Sequence, residues 1–318
     1  MEVLLSAPRG FCAGVVRAIE IVQLAIDRYG APVYVRHEIV HNKYVVDSLH
    51  RQGAEFVEDL DNVPDGATLI FSAHGVAPEV YAQAQARGLR VIDATCPLVA
   101  KVHLESAKYA GDGNSIVVIG HVGHVEVIGT MGQSPEVSYL VSDIADVEQL
   151  QVPDPERVVA LTQTTLSVND TQEIMAALKA KFPNILARND ICYATTNRQE
   201  ATKALTDRVD LMLVIGAQSS SNCTRLREVA EEAGLPAYLI DDASAIQPEW
   251  LVGVERVGIT SGASTPESLV EGVIDALKPD SVTTIEITQE DVTFVLPKQL
   301  RAQGGKWAHP REGDSAIR

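Results

Sequence analysis

The chain of 318 residues has few cysteines, few aromatic side chains and an excess of acidic over basic residues. It has no apolar run of the roughly 18 residues that a membrane-spanning helix needs. Its four cysteines are Cys12, Cys96, Cys192 and Cys223. None belongs to a CxxC pair, which argues against a structural zinc finger. A chain of this length needs no disulfides to stabilise a core, so the thiols either pack in the interior or bind a metal.

The net charge of -17 arises from 43 acidic and 26 basic side chains. Such a surface repels a phosphate backbone and argues against non-specific binding to nucleic acid or to a membrane surface. A small anion can still be held by a few local donors. The N-terminus lacks the basic and apolar regions of a signal peptide, so we expect a cytoplasmic protein. Walker and GxGxxG motifs are absent, and nucleotide binding therefore has no motif support.

Short runs rich in Val, Ile and Leu alternate with amphipathic stretches, a pattern typical of parallel strands covered on both faces. Strands are predicted at residues 3–6, 33–35, 68–71, 90–92, 115–119, 157–161, 211–215, 237–240 and 256–259. Helices are predicted over residues 15–26, from 167 to about 181 and over 268–277. For the last helix, Thr265 is the predicted cap and Pro266 the first helical residue. The sequence therefore predicts an α/β fold with mostly parallel sheets.

Three of the cysteines share one context, because each lies in a turn that precedes a helix. Cys12, Cys96 and Cys192 are separated by 84 and 96 residues, and each interval suits one small α/β unit. We therefore predict three small α/β domains in a pseudo-threefold arrangement around a centre. The expected divisions are 1–96 with the N-terminal strand, 97–191, 192–280, and a C-terminal segment 281–318 with a loosely held tail.

The start of a helix favours a thiolate, which is the form of cysteine that binds metals. A single cysteine is more often a buried apolar residue, but three in matching contexts favour ligands. Three thiolates leave one metal position open, and the open iron of an iron–sulfur cubane can bind a substrate directly. Cys223 lacks the strand-to-turn context, and we expect it to pack without binding a metal.

Polar side chains that suit an anion follow several predicted strands. Histidines at such positions can donate to phosphate oxygens, and the candidates are His41, His74 and His124. Two loops that open helices, residues 216–222 and 261–265, combine hydroxyls with backbone N–H groups, although helix capping is the alternative explanation. Glu126 follows His124 closely and with Thr164 forms a possible proton-delivery set, unless it is a solvated surface carboxylate. The remaining histidines are interpreted as hydrogen-bonded loop residues: His37, His50, His103, His121 and His309.

Seven segments, taken together and in order, resemble the 4-hydroxy-3-methylbut-2-enyl diphosphate reductase family. They are PRGFCAGV at 8–15, YVRHEIVHN at 34–42, SAHGV at 72–76, DATCP at 93–97, GHVGHVE at 120–126, TQTTL at 162–166 and DICYATTNRQ at 190–199. The resemblance extends from Met1 to about Pro297. Val125 stands where the family commonly has proline, and the resemblance assigns no role to Cys223.

The resemblance implies a trefoil of three α/β domains around a central [4Fe–4S] cluster, with Cys12, Cys96 and Cys192 as its ligands. The implied substrate and diphosphate contacts are His41, His74, His124, Ser220, Ser221, Asn222 and Ser264. It also implies that Thr164 lies near the substrate hydroxyl and that Glu126 donates the proton. The implied reaction, the last step of the non-mevalonate isoprenoid pathway, converts (E)-4-hydroxy-3-methylbut-2-enyl diphosphate to isopentenyl and dimethylallyl diphosphates. Because no flavin or nicotinamide motif is present, a ferredoxin or flavodoxin type of donor is expected to supply the electrons.

Three other functions stay open from the residues alone. A redox or iron sensor would share the cysteines but would not turn over a diphosphate. A zinc-dependent hydrolase of phosphorylated substrates would be colourless and stable in air. A structural oligomerisation module would show neither colour nor ligand binding.

Overall fold

The computed structural model describes residues 1–301, in which short strands alternate with helices. The strands are β1 Glu2–Ala7, β2 Val33–Arg36, β3 Ala54–Val57, β4 Thr68–Phe71, β5 Arg90–Asp93, β6 Ser115–Ile119, β7 Ser138–Val141, β8 Val158–Thr162, β9 Leu186–Ala187, β10 Leu211–Ile215, β11 Ala237–Ile240, β12 Arg256–Ser261 and β13 Ser281–Glu286. The helices are α1 Ala13–Tyr29, α2 Lys43–Gln52, α3 Pro78–Ala86, α4 Pro97–Gly111, α5 Val125–Met131, α6 Ile144–Gln149, α7 Val168–Lys181, α8 Tyr193–Thr206, α9 Ser221–Glu232 and α10 Glu267–Leu277. The predicted α/β class is confirmed.

The strands form three sheets, and every strand pair in them is parallel. The strand orders are β3-β2-β4-β5, β7-β6-β8-β9 and β11-β10-β12-β1-β13. The first four strands of each sheet therefore follow the same order. The fourth position is held by β5, β9 and β1 respectively, and the third sheet has β13 as an additional fifth strand. In all three sheets this fourth strand leads into a cysteine turn, at Cys96, Cys192 and Cys12 respectively. This repetition accounts for the matching cysteine contexts in the sequence.

The N-terminal strand does not pair with the strands that follow it in the chain. It was expected to belong with residues 1–96, whereas β1 pairs with β12 and β13. The register joins Val3 to Val257 on one side and to Val282 on the other. Burial explains this placement, because Val3 is fully buried in a core that includes Leu213 and Ile259. The boundaries expected near residues 96 and 192 stay predictions.

The chain divides into two compact units. Within residues 1–301, we call residues 1–19, 40–51 and 193–301 the terminal unit, and residues 20–39 and 52–192 the middle unit. The terminal unit contains the five-stranded sheet, and the middle unit contains the two four-stranded sheets. The tail beyond residue 301, for which a loose hold is expected, lies outside the described residues.

Strands covered on both faces explain the continuous apolar runs. All residues of β4, β6, β8 and β10 are buried. Helix α1 buries Val15, Ile19 and Val22 along one side. It ends at Tyr29 and is followed by Gly30, whose φ of 80° suits a glycine. No helix within residues 1–301 is long and apolar enough to cross a membrane.

Two local predictions need correction or extension. At the start of α10 the cap is Pro266 and not Thr265, because the Thr265 hydroxyl donates instead to the Ile215 carbonyl oxygen at 2.9 Å. The strands that were not predicted, β3, β7, β9 and β13, all lie at sheet edges. None of these four strands is buried along its whole length, so they lack the continuous apolar run of a strand covered on both faces.

Candidate active-site residues

The three cysteine turns have the same local structure. Cys96 is the N-cap of α4, and Cys12 and Cys192 immediately precede α1 and α8. The carbonyl oxygens of Cys12 and Cys96 accept the first helical hydrogen bonds, from Val16 and Ala100. All four cysteines of the chain are thiols rather than disulfides, and these three are partly exposed.

The donor set fits an iron–sulfur cluster in its chemistry, because such clusters are held by cysteine thiolates from separate turns. Cys12 belongs to the terminal unit, and Cys96 and Cys192 belong to the middle unit. Within residues 1–301, no three His, Cys, Asp or Glu side chains form a group that could hold a metal ion as placed.

In the middle unit, Glu126 is a buried carboxylate in the first turn of α5, with 3% of its surface exposed. Thr164, in the loop after β8, donates its backbone N–H to Glu126 Oε1 at 2.6 Å and its hydroxyl to Oε2 at 3.0 Å. The carboxylate is therefore held at both oxygens by one residue. Burial rules out the solvated-surface alternative for Glu126.

His124 is the N-cap of the same helix, and its Nδ1 accepts the Glu126 backbone N–H at 3.2 Å. An accepting Nδ1 requires a lone pair there, which puts the proton of a neutral ring on Nε2. His74 follows β4, and its ring lies edge-on to that of His124 with 6.2 Å between the centroids. The hydroxyl of Ser72 lies 3.1 Å from Nδ1 of His74. The middle unit thus gathers two histidines and a carboxylate at the carboxyl ends of parallel strands.

The loops that carry these side chains also hold the cysteine turns. The Cys96 N–H donates to the Ala73 carbonyl oxygen at 2.9 Å, beside His74. The Cys192 N–H donates to the Thr164 carbonyl oxygen at 3.0 Å. Thr164 therefore connects the Glu126 carboxylate to the Cys192 turn through its own backbone.

In the terminal unit, the peptide of Ala263 connects Cys12 with the loop that opens α9. The Cys12 N–H donates to the Ala263 carbonyl oxygen at 3.1 Å, and the Ala263 N–H donates to Oδ1 of Asn222 at 2.9 Å. The next residue, Ser264, donates its hydroxyl to the His41 carbonyl oxygen at 3.0 Å. The segment Ala263–Ser264 therefore contacts both Asn222 and His41.

The serines at the start of α9 have different surroundings. Ser220 is the N-cap of α9, and its hydroxyl accepts the Cys223 N–H at 3.4 Å. Helix capping, the alternative to anion binding, therefore accounts for the contact that Ser220 makes. Ser221 is the first helical residue and is half-buried. Hydroxyls and backbone N–H groups at this helix start form the kind of cradle that accepts an anion.

Cys223 is fully buried below that cradle. A Cβ added at either Gly216 or Gly262 would overlap its Sγ, so both glycines are needed to make room for the thiol. Burial raises the pKa of Cys223, and this effect is larger than the opposite effect of its hydrogen bonds with Ser220 and Thr265. The expected packing role of this cysteine agrees with its burial.

The histidines outside the candidate set are bound locally. His37 pairs with Glu58, His50 is exposed, and His121 contacts Oε1 of Gln163. His103 is half-buried, and its Nδ1 lies 3.2 Å from Nε2 of Gln133. Burial lowers the pKa of His103 to about 4, although the charge of Asp93 acts to raise it. His309 lies beyond the described residues.

Two buried charged residues that were not predicted from the sequence lie close to the cysteine turns. Asp190, two residues before Cys192, forms an ion pair with Lys101 at 2.8 Å, and that hydrogen bond raises the pKa of Lys101. Arg198 in α8 is fully buried. The sequence shows polar residues at these positions, but their partners are far away in the chain.

A buried carboxylate, histidines and thiols at the ends of parallel strands define an α/β enzyme. A family model described as "LytB protein" matches residues 3–278. Curated relatives named 4-hydroxy-3-methylbut-2-enyl diphosphate reductase include one from Azoarcus sp. (strain BH72), 56% identical over 94% of this chain and 98% of the relative. One from Pseudomonas aeruginosa (strain LESB58) is 55% identical over 95% of this chain and 99% of the relative.

Solved structures agree with these matches. The structure of the E-1-hydroxy-2-methyl-but-2-enyl-4-diphosphate reductase from Plasmodium falciparum has a TM-score of 0.91 at 39% identity, covering 94% of this chain and 96% of that one. A structure of (E)-4-hydroxy-3-methyl-but-2-enyl diphosphate reductase, described as the terminal enzyme of the non-mevalonate pathway, has a TM-score of 0.63 at 33% identity, covering 87% and 99%. The chain belongs to the LytB family of oxidoreductases.

Proposed function

We propose that the chain removes the hydroxyl group of (E)-4-hydroxy-3-methylbut-2-enyl diphosphate and yields isopentenyl and dimethylallyl diphosphates. The substrate takes up two electrons and two protons, its C–O bond breaks, and the oxygen leaves as water. Relatives of that name, more than half identical to this chain, support the substrate. The buried Glu126 carboxyl, held by Thr164, is the observation that carries the chemistry.

Cys12, Cys96 and Cys192 are the proposed ligands of one [4Fe–4S] cluster per chain. Three partly exposed thiols at helix starts support this assignment, whereas the buried Cys223 does not fit it. When bound, such a cluster supplies electrons one at a time and offers a Lewis-acidic iron at its open position. A ferredoxin or flavodoxin type of protein is the proposed electron donor. The reaction is assigned to the cytoplasm, because a reducing compartment keeps the three thiols reduced.

The proton is assigned to the carboxyl of Glu126. In the ionised state the Thr164 hydroxyl donates to Oε2 at 3.0 Å. Once Oε2 is protonated, the hydroxyl can turn to accept that proton and pass its own to the hydroxyl oxygen of the substrate. The backbone N–H of Thr164 holds Oε1 and so prevents rotation of the carboxyl group. Both residues are buried, which excludes bulk water from the transfer.

The diphosphate is assigned to hydrogen-bond donors at the ends of strands and helices. These are His41, His74, His124, Ser220, Ser221, Asn222 and Ser264. A chain with a net charge of -17 can hold an anion in this way, because oriented N–H and O–H groups provide local positive potential. Anchoring the diphosphate turns the loss of the hydroxyl into a positioned, effectively unimolecular event.

The test is to purify the protein without oxygen, measure iron and sulfide per chain, and follow product formation with a one-electron reductant. The Cys192→Ser variant should lose most of the iron, and Cys223→Ser is the matched control that should keep it. Colourless protein without iron after reconstitution would overturn the proposal. Brown protein without turnover would support the sensor, and zinc with phosphate release would support the hydrolase.

A further inference from the structure

Arg198 is the largest fully buried side chain within residues 1–301, and it carries a charge. A buried charge is stable only when it is paired and hydrogen-bonded. Its guanidinium donates from Nε and Nη2 to the Gly10 carbonyl oxygen, at 3.1 and 2.7 Å. Nη1 donates to the Ala194 carbonyl oxygen at 3.0 Å and to Glu290 Oε1 at 2.9 Å. Every donor group of the guanidinium therefore has a partner.

The acceptor of two of these bonds lies at the start of the Cys12 turn. Gly10 has a φ of 67°, and a Cβ there would lie 3.3 Å from the Thr265 carbonyl oxygen, so both conformation and space favour glycine. Arg198 fixes the carbonyl of Gly10, and the Ala263 carbonyl oxygen fixes the N–H of Cys12. The turn is thus held on each side of Phe11.

The carboxylate that neutralises Arg198 comes from residues 287–297, a stretch that follows β13 within the C-terminal segment. Glu290 lies beyond the residues 3–278 that the family model matches. Its side chain is 14% exposed, and it also accepts from Asn197 Nδ2 at 3.0 Å. The segment begins with the Ile287 N–H bonded to the Ala7 carbonyl oxygen at 3.0 Å. It is held again where Arg17 donates to the Val295 carbonyl oxygen at 2.9 Å.

We propose that Arg198 and Glu290 are positioning residues for the Cys12 turn, so that the C-terminal segment is part of the support for the metal centre. The inference rests on the proposed function, which makes Cys12 a cluster ligand. Outer groups that orient a metal ligand are typically responsible for a 10–100-fold effect on metal retention or activity. A pair with a structural role alone would change the stability of the fold and leave the cluster's properties as they are.

The test compares Glu290→Gln and Arg198→Lys with the wild type as full-length, anaerobically reconstituted protein. Glu290→Gln keeps the shape and the acceptor but removes the charge, and Arg198→Lys keeps the charge but loses the two-pronged contact. Arg17→Gln is the matched control. Arg17 also binds this segment, at the Val295 carbonyl oxygen, but it makes no hydrogen bond to Gly10. Cluster absorbance is followed under a chelator, together with the electron paramagnetic resonance spectrum of the reduced protein and far-ultraviolet circular dichroism.

We expect both variants to lose the cluster about 10-fold faster than the wild type and to show a changed resonance spectrum, with Arg17→Gln unchanged. Should either single variant fail to fold, the double variant Arg198→Met/Glu290→Met removes both charges together. It should fold and still lose its cluster quickly. Equal cluster lifetimes and spectra in folded variants would overturn the inference. A wild type that takes up no cluster would instead overturn the proposed function.

Discussion

Thr164 donates two hydrogen bonds to the carboxylate of Glu126, from its backbone N–H at 2.6 Å and from its hydroxyl at 3.0 Å. The carbonyl oxygen of the same threonine accepts the Cys192 N–H at 3.0 Å. One residue therefore sets the position of a buried acid and of a cysteine turn. The two functions of Thr164 can be separated by mutation, because the side chain makes one of these contacts and the backbone makes the others.

Glu126→Gln should reduce turnover by at least about 100-fold, because it removes the proton and keeps the shape of the side chain. The amide oxygen can still accept from the Thr164 backbone, so the fold and the cluster spectrum should not change. Glu136→Gln is the control, since Glu136 is exposed. Steady-state assays with a one-electron reductant measure the effect. A rate equal to that of the wild type would remove Glu126 from the proton path.

Thr164→Val should lower turnover by about 10-fold or more, since it deletes the hydroxyl while leaving both backbone contacts in place. Thr164→Ser should restore most of the rate, because it returns the hydroxyl without the methyl group. Iron content, which depends on the Cys192 turn, should be the same in both variants. Equal rates for the valine and serine variants would show that the hydroxyl has no part in the reaction.

His103 should make the protein less stable as the pH falls from about 6.5 to about 4, and have no effect above that range. Burial lowers its pKa to about 4 in the folded chain. The unfolded chain, with a pKa near 6.5, therefore binds more protons in this interval. The expected loss of unfolding free energy is about 2 kcal/mol at about pH 5 relative to about pH 7.5.

Urea unfolding of the wild type, His103→Gln and His50→Gln at the two pH values measures this difference. His50 is exposed at the end of α2, so its variant should behave like the wild type. His103→Gln should lose that part of the pH dependence which the histidine causes. The same pH dependence in all three proteins would contradict the assignment.

Gly262→Ala should destabilise the chain by about 1–3 kcal/mol, because its Cβ would overlap Sγ of Cys223 in a packed core. The next nearest atom, Oδ1 of Asn222, would be 3.4 Å away and need not move. In a Cys223→Ala background the substitution should therefore cost much less, with a coupling free energy of about 1–2 kcal/mol.

Gly272→Ala is the control for this pair. Gly272 lies in α10 with nothing within 4 Å of an added Cβ, and alanine there should stabilise the helix by about 0.5–1 kcal/mol. Urea unfolding gives all the free energies. Strictly additive effects of Gly262→Ala and Cys223→Ala would show that the thiol does not limit the space at Gly262.

Local patterns predicted much of the fold and of the site. The apolar runs identified the central strands, since a strand covered on both faces has to be apolar throughout. The turn after a strand placed Cys96 before α4, and the loop after β8 placed Thr164. In each of these cases the signal lies within about ten residues of the feature it predicts.

The features that were missed depend on contacts between distant parts of the chain. Nothing in the run Glu2–Ala7 distinguishes a partner at β4 from one at β12, because both are short and apolar. Arg198 also reads as an ordinary helix residue until Glu290 is seen beside it. Such pairings are set by packing in three dimensions and leave no mark in the spacing of the sequence.

The position of β1 between β12 and β13 has a consequence for the order of events during synthesis on the ribosome. Strand β1 is made before all the strands of the middle unit, whereas its neighbours, Arg256–Ser261 and Ser281–Glu286, are made after them. The middle unit can fold while the chain is still growing, since domains tend to fold as units as they emerge. The turn that holds Cys12 cannot receive Arg198 and Glu290 together until Glu290 has left the ribosome. Under the proposed function, a cluster that includes Cys12 should therefore be loaded only after the segment that contains Glu290 has been made.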